Sequence, residues 1–217
     1  MKKLKIVALF SGGASSLKYL YENDPNCGHH YEFVCGISNK RETKGEKFCI
    51  EKDIPFIEFN TKKFCVERKY LGKLRKMPKE LREDYYFELL NLISPFAPDI
   101  ILLSGFMLEI VFPLLGYCPI INVHPADMRI KDAMGKTKYV GDDAVTLAIN
   151  AGEKYTASTI HVVEEELDNG RIICVSDPLP VELNIFPWEH QEKMKMLCDG
   201  PAYRRALEMI YSKEFIF

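Results

Sequence analysis

The 217 residues carry 29 Lys and Arg against 31 Asp and Glu, a formal charge of −2, with 47% apolar and 28% charged residues. That balance gives no long-range pull toward nucleic acid or an anionic membrane, and the length suits one packed domain. No stretch approaches the roughly 20 continuous apolar residues of a membrane span.

The chain opens with Lys residues and a short apolar run at 6–10. The run is shorter than the apolar core of a signal peptide, so it reads as a buried strand and places the chain in the cytoplasm. Ser11-Gly12-Gly13-Ala14-Ser15-Ser16 follows, and Leu17, Leu20 and Tyr21 then recur at helical spacing. That pattern predicts a strand, a small-residue turn and a helix with Ser15 as N-cap. Residues 31–38 read as a second strand, 43–52 as a helix, and 54–59 as the start of a third strand. The basic cluster at 73–79 reads as a solvated approach to the next helix. There Leu81, Tyr85, Leu89 and Ile93 fall four apart, one buried face, and Pro95 ends it. Residues 99–104 form an almost wholly apolar strand, as expected when both faces are covered. Another strand, 120–124, ends on polar groups.

Strands alternate with helices through the first half, which predicts an α/β fold with a mostly parallel sheet. Later, 143–150 reads as a helix and 156–163 and 171–176 as strands. The turn-like Glu166-Leu167-Asp168-Asn169-Gly170 between these strands lets them pair antiparallel. Residues 186–197 and 201–212 read as helices, forming a C-terminal tail over about 183–217 of a single domain. In that tail Phe186, Trp188 and Tyr203 are expected to pack. Seven Cys are scattered without a CxxC pair. Cys35 and Cys174 lie in strand-like runs and read as small buried hydrophobes, and no metal site is expected.

In an open α/β sheet, ligands gather beyond the carboxyl ends of the strands. The 11–16 loop, the 103–109 turn and Asn122-Val123-His124-Pro125 all occupy that position in the predicted order. Backbone amides at a glycine-bearing strand-to-helix turn can cradle an anion, though a tight turn alone also explains Gly12 and Gly13. Asn122 and His124, two apart on a strand, point to one face. They offer an amide donor and an imidazole to one reacting oxygen, or else satisfy buried backbone. Asp168 stands in a turn that needs no catalytic explanation.

Four ordered segments jointly carry a resemblance: Ser11 to Ser16 with the later Ser38-Asn39-Lys40, then Ala97-Pro-Asp-Ile-Ile-Leu-Leu-Ser-Gly-Phe-Met107, then Asn122-Val-His-Pro125, then His161-Val-Val-Glu-Glu-Glu-Leu-Asp-Asn-Gly170. Together they resemble the folate-dependent formyltransferase family from about residue 4 to 182. The resemblance implies a Rossmann-like fold with Asn122, His124 and Asp168 as the catalytic set. It implies that Ser11, Gly12, Gly13, Ala14, Ser15 and Ser16 hold a substrate phosphate, with Glu192 a further substrate contact. Folate binding falls to Leu103, Phe106, Met107, Leu108, Glu109 and Ile110, and to Glu166, Leu167 and Gly170. The implied activity is formyl transfer from 10-formyltetrahydrofolate, as co-substrate, to a small-molecule amine such as phosphoribosylglycinamide or an amino sugar. The protein is expected as a monomer or homodimer without nucleic-acid or membrane partners. Hydrolysis of formyl-folate and a non-catalytic binding module are the alternatives.

The chain departs from the family pattern at several points. Ala14 and Ser16 stand where Gly and Asn are usual. Leu108 and Glu109 replace the usual basic and apolar residues, and a charged stretch over about 127–143 is added after Pro125. It reads as an exposed elaboration, or as a specificity loop bringing Lys136, Lys138 and Tyr139 to an anionic substrate.

Overall fold

The computed structural model describes residues 2–217. Contacts divide it into two compact units, one of residues up to 18 with 25–120 and one of residues 19–24 with 121–217.

The first unit is a parallel sheet with helices. Strand β1 (Leu4–Phe10) is fully buried from Ile6 onward, the burial its unbroken apolar run requires. Helix α1 (Ser15–Asn23) begins in this unit. Strand β2 (Tyr31–Ser38) pairs parallel with β1. Helix α2 (Lys44–Glu51) starts on a capping box, Thr43 Oγ1 accepting the Glu46 amide while the Glu46 carboxylate accepts the Thr43 amide. Strand β3 (Phe56–Glu58) is shorter than expected, and helix α3 (Thr61–Glu67) follows on an Asn60 cap. Lys73, Lys76 and Lys79 of the basic cluster are exposed around a 3₁₀ turn at Leu74–Lys76. Helix α4 (Lys79–Ile93) buries Tyr85, Tyr86, Leu89 and Ile93, and ends just ahead of Pro95. The Tyr85 ring stacks on Phe59 at 4.7 Å and meets Phe64 edge-on at 5.1 Å. Strand β4 (Ile100–Leu103) is buried throughout and pairs parallel with β1, giving the order β3-β2-β1-β4. The Ile101 amide donates to Pro119 O at 2.9 Å, so the approach to the next strand runs beside β4.

The second unit is antiparallel. Strand β5 (Ile120–His124) begins at the last residue of the first unit, and helix α5 is Ala144–Asn150. The strand expected over 156–163 is broken in two. Tyr155–Thr156 (β6) pairs instead with Leu179–Pro180 (β9) as a separate ribbon, and only Thr159–Val162 (β7) joins the main sheet. Strand β8 (Ile172–Val175) pairs antiparallel with β7, and β7 with β5. Helices α6 (Pro187–Met194) and α7 (Gly200–Tyr211) are joined by a π-helical turn, Lys195–Asp199, and α7 packs on β7 and β8. Tyr203 is fully buried, but Phe186 and Trp188 are 62% and 64% exposed and stack on each other. These two are not packing anchors.

Burial pushes the Cys35 thiol up to about 12 and Cys174 up to about 11, as suits small core hydrophobes. Among the described residues no group of three or more His, Cys, Asp or Glu could hold a metal, and no helix is long and apolar enough to cross a membrane.

Candidate active site

Strand β5 places Asn122 and His124 on one face, and the antiparallel register sets Asn122 opposite His161 and His124 opposite Thr159 on β7. Thr159 secures the exit of β5: its hydroxyl donates to Ala126 O at 2.7 Å and accepts the Met128 amide at 3.0 Å. Asp168 returns from the loop between β7 and β8 in the left-handed region, φ 49°, which Asp tolerates better than most residues. There Asp168 Oδ2 lies 3.4 Å from His124 Nδ1, and Oδ1 lies 4.0 Å from His161 Nε2. All three side chains are buried. The structure thus brings Asn122, His124 and Asp168 together inside the second unit, with His161 between Asn122 and Asp168.

His161 appeared in the sequence only as the first residue of a recognised segment. Its role follows from hydrogen-bond chemistry. Nδ1 lies 2.9 Å from Val162 O, so Nδ1 carries a hydrogen. Burial lowers the His161 pKa, with the Asp168 charge opposing, so Nε2 is bare at neutral pH. A bare Nε2 needs a donor, and Asn122 Nδ2 meets it at 3.4 Å. His161 thereby fixes which way the Asn122 carboxamide points and leaves its second N–H for a ligand.

His124 is held differently. Its Nε2 lies 2.6 Å from the main-chain oxygen of Tyr139, so Nε2 also carries a hydrogen, committed to that carbonyl. Nδ1, on the side of Asp168, is the ring nitrogen left to accept and pass on a proton. Two residues on, the Gly141 amide donates to Asp168 Oδ2 at 2.8 Å. The added stretch is therefore no solvated elaboration along its whole length. Its tip is exposed, Met134 at 80%, where Asp132 Oδ1 accepts the amides of Met134 and Lys136. The return limb is docked, with Tyr139 buried among Ala126, Ala144 and Ala148. Lys136 bonds Glu166 at 2.6 Å, and Lys138 lies 3.8 Å from Glu153.

Of the other residues expected around the 164–170 loop, Glu166 is exposed and bonded to Lys136 and Asn169. Leu167 is exposed. Gly170 is buried, and a Cβ there would stand 1.9 Å from Val162 O. Glycine is needed at that point because backbone meets backbone. Glu192 sits exposed on α6, its carboxylate paired with Lys195.

In the first unit the small-residue loop is tied down by long-range bonds. The Ser11 amide donates to Gly105 O at 3.0 Å, and its Oγ accepts the Met107 amide at 2.9 Å. Ser15 is not the N-cap but the first helical residue. The cap comes from 88 residues away: Ser104 Oγ accepts the amides of Ser16 and Leu17, each at 3.1 Å. These two amides are consumed, so residues 12–15 are what the loop can offer an anion. Gly13 is exposed, Gly12 and Ser15 are half-buried, and Ser11, Ala14 and Ser16 are buried. Along 103–110, Leu103, Leu108 and Ile110 are buried anchors, while Phe106 is partly and Met107 half exposed. The Glu109 carboxylate pairs with Arg82, and its main-chain oxygen accepts from Tyr86 OH at 2.9 Å. Glu109 therefore presents a neutralised charge.

Residues 4–196 match the family model described as "Formyl transferase". Phosphoribosylglycinamide formyltransferase of Haemophilus influenzae is 26% identical over 203 residues, covering 92% of this chain and 82% of that protein. The chloroplastic phosphoribosylglycinamide formyltransferase of Arabidopsis thaliana is 25% identical over 177 residues, 81% of this chain. The chain spans only 55% of that plant protein's length. The crystal structure of glycinamide ribonucleotide transformylase 1 from Symbiobacterium toebii superposes with TM-score 0.81 at 17% identity, covering 99% of this chain and 91% of that one. Likeness at that identity speaks for the fold.

Proposed function

The chain belongs to the formyl transferase family, and on that premise we propose that it moves a formyl group from 10-formyltetrahydrofolate to an amine, with Asn122, His124 and Asp168 as the catalytic set. The observation that carries this reading is the Asn122–His161–Asp168–His124 cluster, its two imidazoles and carboxylate buried and every ring nitrogen facing a defined partner. The relatives' names make phosphoribosylglycinamide the first acceptor to test.

The chemistry uses the cluster as follows. The amine nitrogen attacks the formyl carbon, the C–N bond to the amine forms, and negative charge collects on the formyl oxygen. The free N–H of Asn122, already oriented by His161, donates to that oxygen and is strongest when the charge is fullest. The bond from carbon to the folate nitrogen then breaks. The proton shed by the attacking amine must reach that leaving nitrogen. Since Nε2–H is committed to Tyr139, His124 Nδ1 and the Asp168 carboxylate, 3.4 Å apart, are the acceptors that take that proton up and pass it on, and this pair is the relay. In the first unit Met107 is exposed and Phe106 partly so, apolar groups suited to a flat heteroaromatic ring. The amides of residues 12–15 suit a phosphate-bearing acceptor.

The test is single-turnover transfer from 10-formyltetrahydrofolate, with phosphoribosylglycinamide, an amino-sugar panel or water alone as acceptor. Formylated amine from one acceptor supports the proposal and names the substrate. Formate released equally with and without amine would make the protein a hydrolase instead, and neither product would refute transfer.

A further inference from the structure

We propose that Tyr139 and Glu153 are positioning residues for His124, acting through the main-chain carbonyl of Tyr139. This inference rests on the formyl-transfer reading for its kinetic consequence but not for its geometry.

The stretch 139–141 presents an acceptor and then a donor, and each meets the group of the complementary kind. Tyr139 O takes the hydrogen of His124 Nε2 at 2.6 Å, and Gly141 N–H gives to Asp168 Oδ2 at 2.8 Å. One short segment therefore fixes both ends of the His124–Asp168 pair and decides which imidazole nitrogen is left for the relay. A main-chain carbonyl holds a ring only as firmly as its own residue is held. Tyr139 is held twice: its ring is buried against Ala126, Ala144 and Ala148, and its hydroxyl donates to Glu153 Oε1 at 2.6 Å. Glu153 is itself anchored just past α5, its amide donating to Ala148 O at 3.1 Å. Lys138 lies 3.8 Å from the same carboxylate and 4.8 Å over the Tyr139 ring. The path runs from Glu153 through the Tyr139 hydroxyl and backbone to the catalytic imidazole. Glu153 and the Tyr139 side chain act without touching the reacting atoms.

The experiment pairs kinetics with ¹⁵N spectroscopy of the His124 ring in the ligand-free protein. Tyr139→Phe keeps the ring packing and removes only the hydroxyl. It should lower kcat by about ten-fold with KM nearly unchanged, as expected when a catalytic group is displaced by a fraction of an ångström. Glu153→Ala should do the same, and Glu153→Gln, which keeps an acceptor oxygen, should restore most of the rate. In the wild type the His124 ring should show a protected Nε2–H, which Tyr139→Phe and Glu153→Ala weaken. A purely structural role would lower the melting temperature while leaving the kcat-to-KM split and the Nε2–H signal unmoved, and that result overturns the proposal. Glu153→Gln as slow as Glu153→Ala would overturn it too. Should the wild type transfer no formyl group, the spectroscopic arm still decides whether Tyr139 holds His124.

Discussion

Ser104 lies 88 residues from the helix that its hydroxyl caps, and Ser104→Ala isolates that single contact. In the folded chain Oγ accepts two amides, Ser16 and Leu17, and all three residues are at most 1% exposed. Alanine leaves two buried donors without an acceptor, at about 1–3 kcal/mol each. Loss of an ordinary helix N-cap costs about 1 kcal/mol. Slight relaxation of the first turn recovers part of the loss, so the expected cost is about 2–4 kcal/mol. In a chain of this size each kcal/mol moves Tm by about 2–4 °C, which gives a fall of about 4–16 °C. Thermal unfolding followed by circular dichroism measures it, with Ser94→Ala as an exposed serine control expected within about 0.5 kcal/mol. Hydrogen exchange should show the amides of Ser16 and Leu17 losing protection first. A Tm within about 2 °C of wild type, with those amides still protected, would refute Ser104 as the cap.

Three further outcomes follow from the same geometry. Burial raises the Asp199 carboxyl from 3.8 to about 6 although Ser158 Oγ donates to it at 2.5 Å. The folded chain holds that proton more tightly than the unfolded one, so the stability it contributes is complete below pH 3.8 and lost as pH rises through about 6. Asp199→Asn should raise Tm at pH 8 and leave it little changed at pH 4.5, and a shift independent of pH would exclude Asp199 as the titrating group. Gly170→Ala sets a methyl 1.9 Å from Val162 O, the carbonyl that fixes the His161 tautomer. It should cost about 2 kcal/mol or more in urea unfolding and reduce turnover, whereas a stable, active variant would show that the loop relaxes freely. His161→Leu should lower kcat roughly ten-fold at unchanged KM, because the Asn122 amide loses its orienting acceptor; unaltered kinetics would remove His161 from the site.

What the sequence revealed depended on how far each signal reached along the chain. Asn122 and His124 announce a shared face through a spacing of two, and β5 holds them so. The parallel first half was legible in apolar runs such as 100–103, because strands covered on both faces have no alternation to hide. Asp168 sits in a turn whose composition needs no further explanation, and only its place in a recognised segment singled it out. The broken strand at 155–162 was not visible because Tyr155 and Thr156 have strand-forming side chains but pair with Leu179 and Pro180. Ser104 as a cap, and Tyr139 as a clamp on His124, left no trace. The first acts across 88 positions, and the second acts through a peptide carbonyl that every residue possesses. Charge patterning in 131–143 pointed outward, and it describes the exposed tip while missing the buried Tyr139.

The most direct test of the central claim is single-turnover formyl transfer by the wild type, His124→Ala and Asp168→Asn, with binding of 10-formyltetrahydrofolate measured beside it by calorimetry. Loss of a positioned proton-transfer group costs on the order of 10²–10⁴ in rate. The account predicts at least that loss in each variant, with folate binding and circular dichroism unchanged. Transfer at the wild-type rate in either variant, or unfolding of both, would contradict it.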